Sequence, residues 1–228
     1  ALDFLTHLSM TGLGDTDGAY VAVVCDDPNA HSSGDETDTR WLARFAYAPL
    51  MEPTSVPEAR EMTAYAFELS QKHKGWVMLR SCTRLSHASS IVEAKELAPP
   101  APRKARAPVE KCLTPYLARP KHQAVLEKLA LVKEEFEASP FNSYQGPENP
   151  ELLVVAAGSG YLCGLEAREI LGLEEKVGVL KLATLWPFPT DLVKKHLAAA
   201  KKVLVLEEVD PFVESLVSQT VGEAGLIG

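Results

Sequence analysis

The chain has 228 residues, 46% apolar and 24% charged, the composition of an ordinary globular protein with room for one large domain or two small ones. A formal net charge of −8 argues against a nucleic-acid backbone or an anionic membrane as the main partner. No run of about eighteen apolar residues offers a membrane span, and the N-terminus lacks the basic and apolar regions of a signal peptide.

Ala1–Met10 carries Leu2, Leu5 and Leu8 at helical spacing and predicts a short amphipathic helix, stopped by Thr11-Gly12-Leu13-Gly14. Opening in a helix without Met, the sequence reads as a piece of a longer chain. Ala19–Cys25 predicts a strand. It empties into a polar loop, Cys25–Arg40, that holds four Asp, one Glu, one His, two Ser and two Thr besides its closing Arg. Such a loop is too long and too polar to be a mere connection, and the C-terminal ends of strands are where open α/β sheets place their ligands.

Trp41–Tyr47 is a short apolar segment and Pro49–Pro53 is extended. Ser55-Val56-Pro57-Glu58 opens a helix, with a Ser cap, Pro in the first turn and Glu three residues after the cap. That helix is expected to reach His73 with Met62, Ala66 and Leu69 on one face, and to end at Gly75. Trp76–Arg80 is the next strand, so strand, helix and strand make a right-handed parallel crossover. The following Arg80–His87 segment should then share a sheet edge with the polar loop, and two polar clusters on one edge make a candidate site.

Residues 98–108 form a Pro/Ala/basic linker, and Lys121–Ala138 a connecting helix with Val125, Leu129, Val132 and Phe136 in one stripe. A second α/β unit follows, with strands at Leu152–Ala157, Val177–Leu182 and Val203–Glu208. Its helices run from the Gly158-Ser159-Gly160 turn to Leu171, from Pro189 to Ala200 and from Asp210 or Pro211 to about Glu223. Gly158-Ser159-Gly160 lacks the third glycine of a dinucleotide fingerprint and is read as a tight turn packing helix on strand. Asp210 is expected to cap the last helix. The four cysteines, Cys25, Cys82, Cys112 and Cys163, have no C-x-x-C spacing, so no metal site is expected within the chain. They are read as buried, reduced thiols of a cytoplasmic protein.

Asp26-Asp27-Pro28-Asn29-Ala30-His31-Ser32-Ser33 with Glu36-Thr37-Asp38-Thr39-Arg40 resembles the corresponding loop of the alpha subunits of indolepyruvate ferredoxin oxidoreductases. So do Met51–Met62, Thr83-Arg84-Leu85-Ser86-His87, Ser139-Pro140-Phe141-Asn142 and Leu206–Glu214, in order along nearly the whole chain. The resemblance implies the later part of a pyrimidine-binding domain of a thiamine enzyme over residues 1–92. It implies a linker and connecting helix over 93–150, and a transketolase C-terminal-like, doubly wound, mostly parallel sheet over 151–228.

It further implies oxidative decarboxylation of an aryl 2-oxoacid to an acyl-CoA, with thiamine diphosphate carrying the carbanion chemistry and ferredoxin accepting electrons. Thiamine diphosphate, its magnesium ion and the 4Fe–4S clusters would be held outside this chain. Coenzyme A, ferredoxin and a beta subunit are the implied partners. The implied pocket residues are His31 and His87 as proton carriers, with Ser32, Ser33, Glu36, Arg40 and Arg84 on the substrate. Gly34-Asp35 stands where the family has a Gln-Asn pair, so the same chemistry on a non-aryl 2-oxoacid is an alternative. A second alternative is a non-catalytic assembly module whose contacts are Glu207, Glu208 and Asp210.

Overall fold

The computed structural model describes residues 2–14, 17–93 and 115–221. The Pro/Ala/basic linker, Cys112 and the end of the last predicted helix lie outside the described residues.

Helix α1 (Leu2–Thr11) packs Leu5 and Leu8 onto the core and leaves Leu2 exposed. Strand β1 (Tyr20–Asp26) leads into the polar loop, and α2 (Arg40–Phe45) follows where the sequence suggested only an apolar segment. Strand β2 (Leu50–Met51) precedes α3 (Val56–His73). Ser55 caps α3 by accepting from the Glu58 N–H at 3.4 Å, while the Glu58 carboxylate reaches back to the Thr54 N–H at 2.7 Å. The helix ends at His73 as expected, and Lys74 caps it in the left-handed conformation at φ 53.

Strand β3 (Trp76–Cys82) and the single turn α4 (Thr83–Ser86) complete the first half. β1 and β3 run parallel in register from Tyr20 opposite Trp76 to Asp26 opposite Cys82. The polar loop and the Thr83–His87 segment therefore leave the sheet on one edge.

Helix α5 (Pro115–Glu137) starts six residues before the expected Lys121, with Pro120 inside it, and buries the predicted stripe of Val125, Leu129, Val132 and Phe136. The second half contains β4 (Ser143–Gln145), β5 (Leu152–Ala157), α6 (Ser159–Ile170), β6 (Val177–Leu182) and β7 (Thr184–Trp186). It closes with α7 (Thr190–Ala199), β8 (Val203–Leu206) and α8 (Phe212–Val221). One sheet has the order β4-β6-β5-β8, parallel except for β4. The other has the order β1-β3-β2-β7, and β7 joins it antiparallel to β2. Strands of three residues such as β4 and β7 are too short to leave a period in the sequence.

One apolar cluster takes Leu50, Trp76 and Met78 from the first sheet and Leu153, Val155 and Leu180 from the second, all nearly inaccessible. Each such side chain contributes roughly 1.5–3 kcal/mol of burial free energy, so the two halves share a core. The fold is α/β, with two mostly parallel sheets.

Candidate functional site

The C-terminal ends of both sets of parallel strands meet. Arg40, which closes the polar loop, donates from Nη1 to Glu207 at 2.7 Å and from Nη2 to the carbonyls of Glu208 and Asp210 at 2.9 Å. Its Nε donates to Asp38 at 2.8 Å. Arg40 is 1% exposed with all three nitrogens committed, so it holds the loop against the β8–α8 connection and presents no free N–H group at the surface. Burial is the largest influence and opposes both charges, but the Arg40–Asp38 hydrogen bonds together with the surrounding opposite charges outweigh it. The Arg40 guanidinium is raised above its usual range and the Asp38 carboxyl is lowered.

Val209, between the two accepting carbonyls, is β-branched and sits at φ 74, a conformation such residues rarely adopt. The expected Asp210 cap is not what forms. Asp210 is exposed, and the Glu207 carboxylate caps α8 by accepting from the N–H groups of Val213 and Glu214 at 2.8 and 2.9 Å.

Beneath the edge lies a cluster that the sequence reading did not single out. Arg80 donates to Asp26 at 2.5 Å and to Glu52 at 2.8 Å, and all three side chains are buried. Asp26 also accepts from the Thr39 N–H and hydroxyl at 3.0 and 2.9 Å, which fixes the return of the polar loop. The only local signal was a charged residue ending or following each apolar strand run: Asp26 after Cys25, Glu52 after Met51 and Arg80 after Leu79.

The loop itself turns around Asp27. That carboxylate accepts from the N–H groups of Ser32 and Ser33 at 2.6 and 2.7 Å and from the Thr83 hydroxyl. The Thr83 and Ser32 hydrogen bonds hold the Asp27 carboxyl well below the usual carboxylate range. Ser33 donates its hydroxyl to the Asp35 carbonyl at 2.6 Å, and Glu36 accepts from the Asn29 N–H. Asn29 and Ala30 both take positive φ, 64 and 46. A Cβ on Gly34 would meet nothing within 4 Å, so no contact in this fold calls for glycine there.

The structure thus brings Ser32, Ser33 and Thr83 together around Asp27. His31, Ser32, Ser33, Glu36, Arg84 and His87 are exposed, and Arg40 is buried. No hydrogen bond joins His31 to His87.

A cleft of about 340 Å³ opens beside this edge, lined by Glu52, Ser55, Cys82, Arg84, Ser159 and Cys163 among others. Of the candidate pocket residues only Arg84 is in its described lining; its Nε donates to Glu208 at 3.1 Å and its side chain is 56% exposed. The Gly158-Ser159-Gly160 turn is a packing device. A Cβ on Gly160 would lie 2.6 Å from the Leu206 carbonyl oxygen, and one on Gly158 would lie 2.2 Å from Glu52 Oε1. Ser159 donates its hydroxyl to Glu208 at 2.6 Å, so carboxylates already stand at the start of α6. Cys82 is buried and its thiol is pushed up to about 12 by burial and by the Glu52 charge. Cys25 and Cys163 are exposed, contrary to the expectation of buried thiols. Among the described residues no group of three or more His, Cys, Asp or Glu is arranged to hold a metal ion, and no helix is long and apolar enough to cross a membrane.

Residues 151–223 match the family described as pyruvate:ferredoxin oxidoreductase core domain II. Over 228 aligned residues the chain is 40% identical to indolepyruvate oxidoreductase subunit IorA of Thermococcus kodakarensis, and over 233 it is 38% identical to that of Pyrococcus abyssi. These alignments cover 97% and 99% of this chain but 35% of each relative, so the chain spans about a third of the length of the relatives it matches. Its fold is similar to that of 2-oxoglutarate:ferredoxin oxidoreductase from Magnetococcus marinus, solved with 2-oxoglutarate, coenzyme A and succinyl-CoA bound. That match has a TM-score of 0.66 at 16% identity and covers 96% of this chain and 46% of the other. A split gene transketolase, an inactive beta4 tetramer, matches at a TM-score of 0.55 and 15% identity, over 90% of this chain and 53% of the other. At such identities the structural likeness is one of fold. Residues 151–223 thus match a pyruvate:ferredoxin oxidoreductase core domain, and nearly the whole chain is related to a segment of the indolepyruvate oxidoreductase IorA subunits.

Proposed function

We propose that the chain is part of an enzyme that oxidises an aryl 2-oxoacid to an acyl-CoA with ferredoxin as electron acceptor, and that its polar edge forms the substrate side of a thiamine-diphosphate site. One observation carries the reading. In a relative of IorA subunits, the Cys25–Arg40 loop and the Thr83–His87 segment are joined through Asp27 and Thr83 at the C-terminal edge of a parallel sheet.

In this reading His31 and His87 present imidazoles that take and give protons at the pocket. Arg84, with only Nε committed, offers both Nη groups to the substrate carboxylate. Ser32, Ser33 and Glu36 shape the wall between them. Arg40 acts through Asp38 and Glu207, as the positioning residue of the loop.

The described residues do not fit the diphosphate of the cofactor. The one glycine-rich helix start, at Ser159, is faced by the Glu52 and Glu208 carboxylates, which an anion would have to displace. We therefore assign the diphosphate, its magnesium ion and the 4Fe–4S clusters to other parts of the enzyme, and coenzyme A and a second subunit to its partners.

The test is anaerobic assay of the complete protein with its partner subunit, coenzyme A and ferredoxin. Indolepyruvate, phenylpyruvate, pyruvate and 2-oxoglutarate are compared as substrates. The aryl 2-oxoacids are expected to reduce ferredoxin fastest, and Arg84→Gln to raise KM more than it lowers kcat. Reduction by no 2-oxoacid, or a rate confined to pyruvate or 2-oxoglutarate, overturns the proposal.

A further inference from the structure

A second cavity, of about 320 Å³, lies where α2, α7 and α8 approach the β7–α7 connection. Its described lining includes Arg44, Lys133, Lys194, Trp186, Phe188 and Gln219 and contains no Asp or Glu. Three cations line it on a chain whose net charge is −8, and only Lys133 has a carboxylate partner among the described residues.

The cations differ in their commitments. Lys133 pairs with Glu137 at 2.8 Å. Glu137 is itself taken up by the first turn of α7, accepting from the Asp191 and Leu192 N–H groups at 3.0 and 2.8 Å. Arg44 and Lys194 make no ion pair and no side-chain hydrogen bond among the described residues. The Arg44 guanidinium carbon lies over the Trp186 ring, 5.1 Å from its centroid, a contact that leaves the N–H groups uncommitted. Phe188 and Leu216, both buried, add an apolar side to the cavity.

From these groups we infer that the cavity is a binding site for a small oxyanion, a carboxylate or phosphate carried on an apolar body. Arg44 and Lys194 bind the charge, and the ligand packs on Phe188 and Leu216. The size is that of a small-molecule pocket, at the lower end of roughly 300–1,000 Å³. Arg44 is already packed over Trp186 before binding, which reduces the side-chain entropy lost when an oxyanion meets it. This inference does not depend on the reaction proposed above, because none of its residues belongs to the polar edge.

Calorimetric titration of the full-length protein at low salt tests it, with phenylacetate and phenyl phosphate as the two anion probes and phenylacetamide as the neutral one. The expected result is that one or both anions bind roughly tenfold or more tightly than the amide. Comparison of the two anions separates a carboxylate site from a phosphate site. Arg44→Met and Lys194→Glu should each weaken the anion roughly tenfold. Lys195→Glu, one residue along α7 and outside the lining, should weaken it less. Lys194 is exposed, so its variant keeps the test valid even if Arg44→Met unfolds. Anions binding no better than the amide, a Lys194→Glu protein that binds like the parent, or a Lys195→Glu protein weakened as much as Lys194→Glu would each overturn the inference.

Discussion

Arg80 Nε donates to Asp26 Oδ2 at 2.5 Å, and each of the two side chains is 1% exposed. The pair joins the last residue of β1 to the neighbouring strand β3, while Arg80 also reaches Glu52 just beyond β2. Three strand ends are thus tied by one guanidinium, directly under the loop that carries the candidate site. Because Asp26 also holds Thr39, the buried charge cluster sets where the loop returns to α2.

Removing the cation should be far worse than removing the cluster. Arg80→Met leaves Asp26 and Glu52 buried and uncompensated, at an expected cost of about 3–5 kcal/mol in urea unfolding. Replacing Arg80, Asp26 and Glu52 together by apolar residues of similar volume should cost less than Arg80→Met alone. A triple variant less stable than the single one contradicts this account.

Stability should fall on the acid side. Asp27 and Asp38 titrate lower in the folded chain than in the unfolded one, where carboxyls titrate near about 4. As pH drops the unfolded chain takes up these protons first, so the contribution is present above about pH 4 and is lost as pH falls through the folded values. Urea midpoints measured from pH 6 down to pH 3 should decline, and Asp38→Asn should flatten the decline. An unchanged slope in that variant contradicts the assignment.

Thiol chemistry should separate the cysteines by burial. Iodoacetamide at pH 8 is expected to label Cys25 and Cys163, which are exposed. It should spare Cys82, whose thiol is buried and pushed up to about 12. Peptide mass spectrometry of the native and urea-unfolded protein reads this directly, and native labelling of Cys82 would show that the cleft opens to its floor.

Two glycines should respond oppositely to alanine. Gly160→Ala drives a methyl group to 2.6 Å from the Leu206 carbonyl oxygen, which is backbone and cannot turn aside. A loss of about 1–3 kcal/mol is expected from the forced shift of α6 on β8. Gly34→Ala meets open space and should be neutral or gain up to about 1 kcal/mol through a less flexible unfolded chain. Thermal unfolding of both variants checks the pair, and a stable Gly160→Ala protein would show that α6 has room to move.

Much of the fold was legible because it is local. The Ser55 cap, the stripe on α5 and strands β5 and β6 follow from spacing and from which residues prefer which backbone. α2 was not, because Arg40–Phe45 is under two turns long and its neighbours mask the period. At the site, the shared edge of the polar loop and Thr83–His87 followed from strand order. The roles of its two arginines did not. Arg40 and Arg84 look alike in sequence, yet one is sealed under Glu207 and Asp38 while the other is more than half exposed at the cleft.

The sequence by itself determined the α/β class, the polar loop at a strand end and the family to which they point, since pattern and motif are properties of short stretches of chain. Only the tertiary structure decided which charges are spent on the fold and which remain for a ligand. Residues such as Asp26, Glu52 and Arg80, or Arg40 and Glu207, lie far apart in the chain and become partners only when packing removes the water between them. Burial turns an ordinary surface charge into one that must be paired, and no local spacing records which partner it will meet.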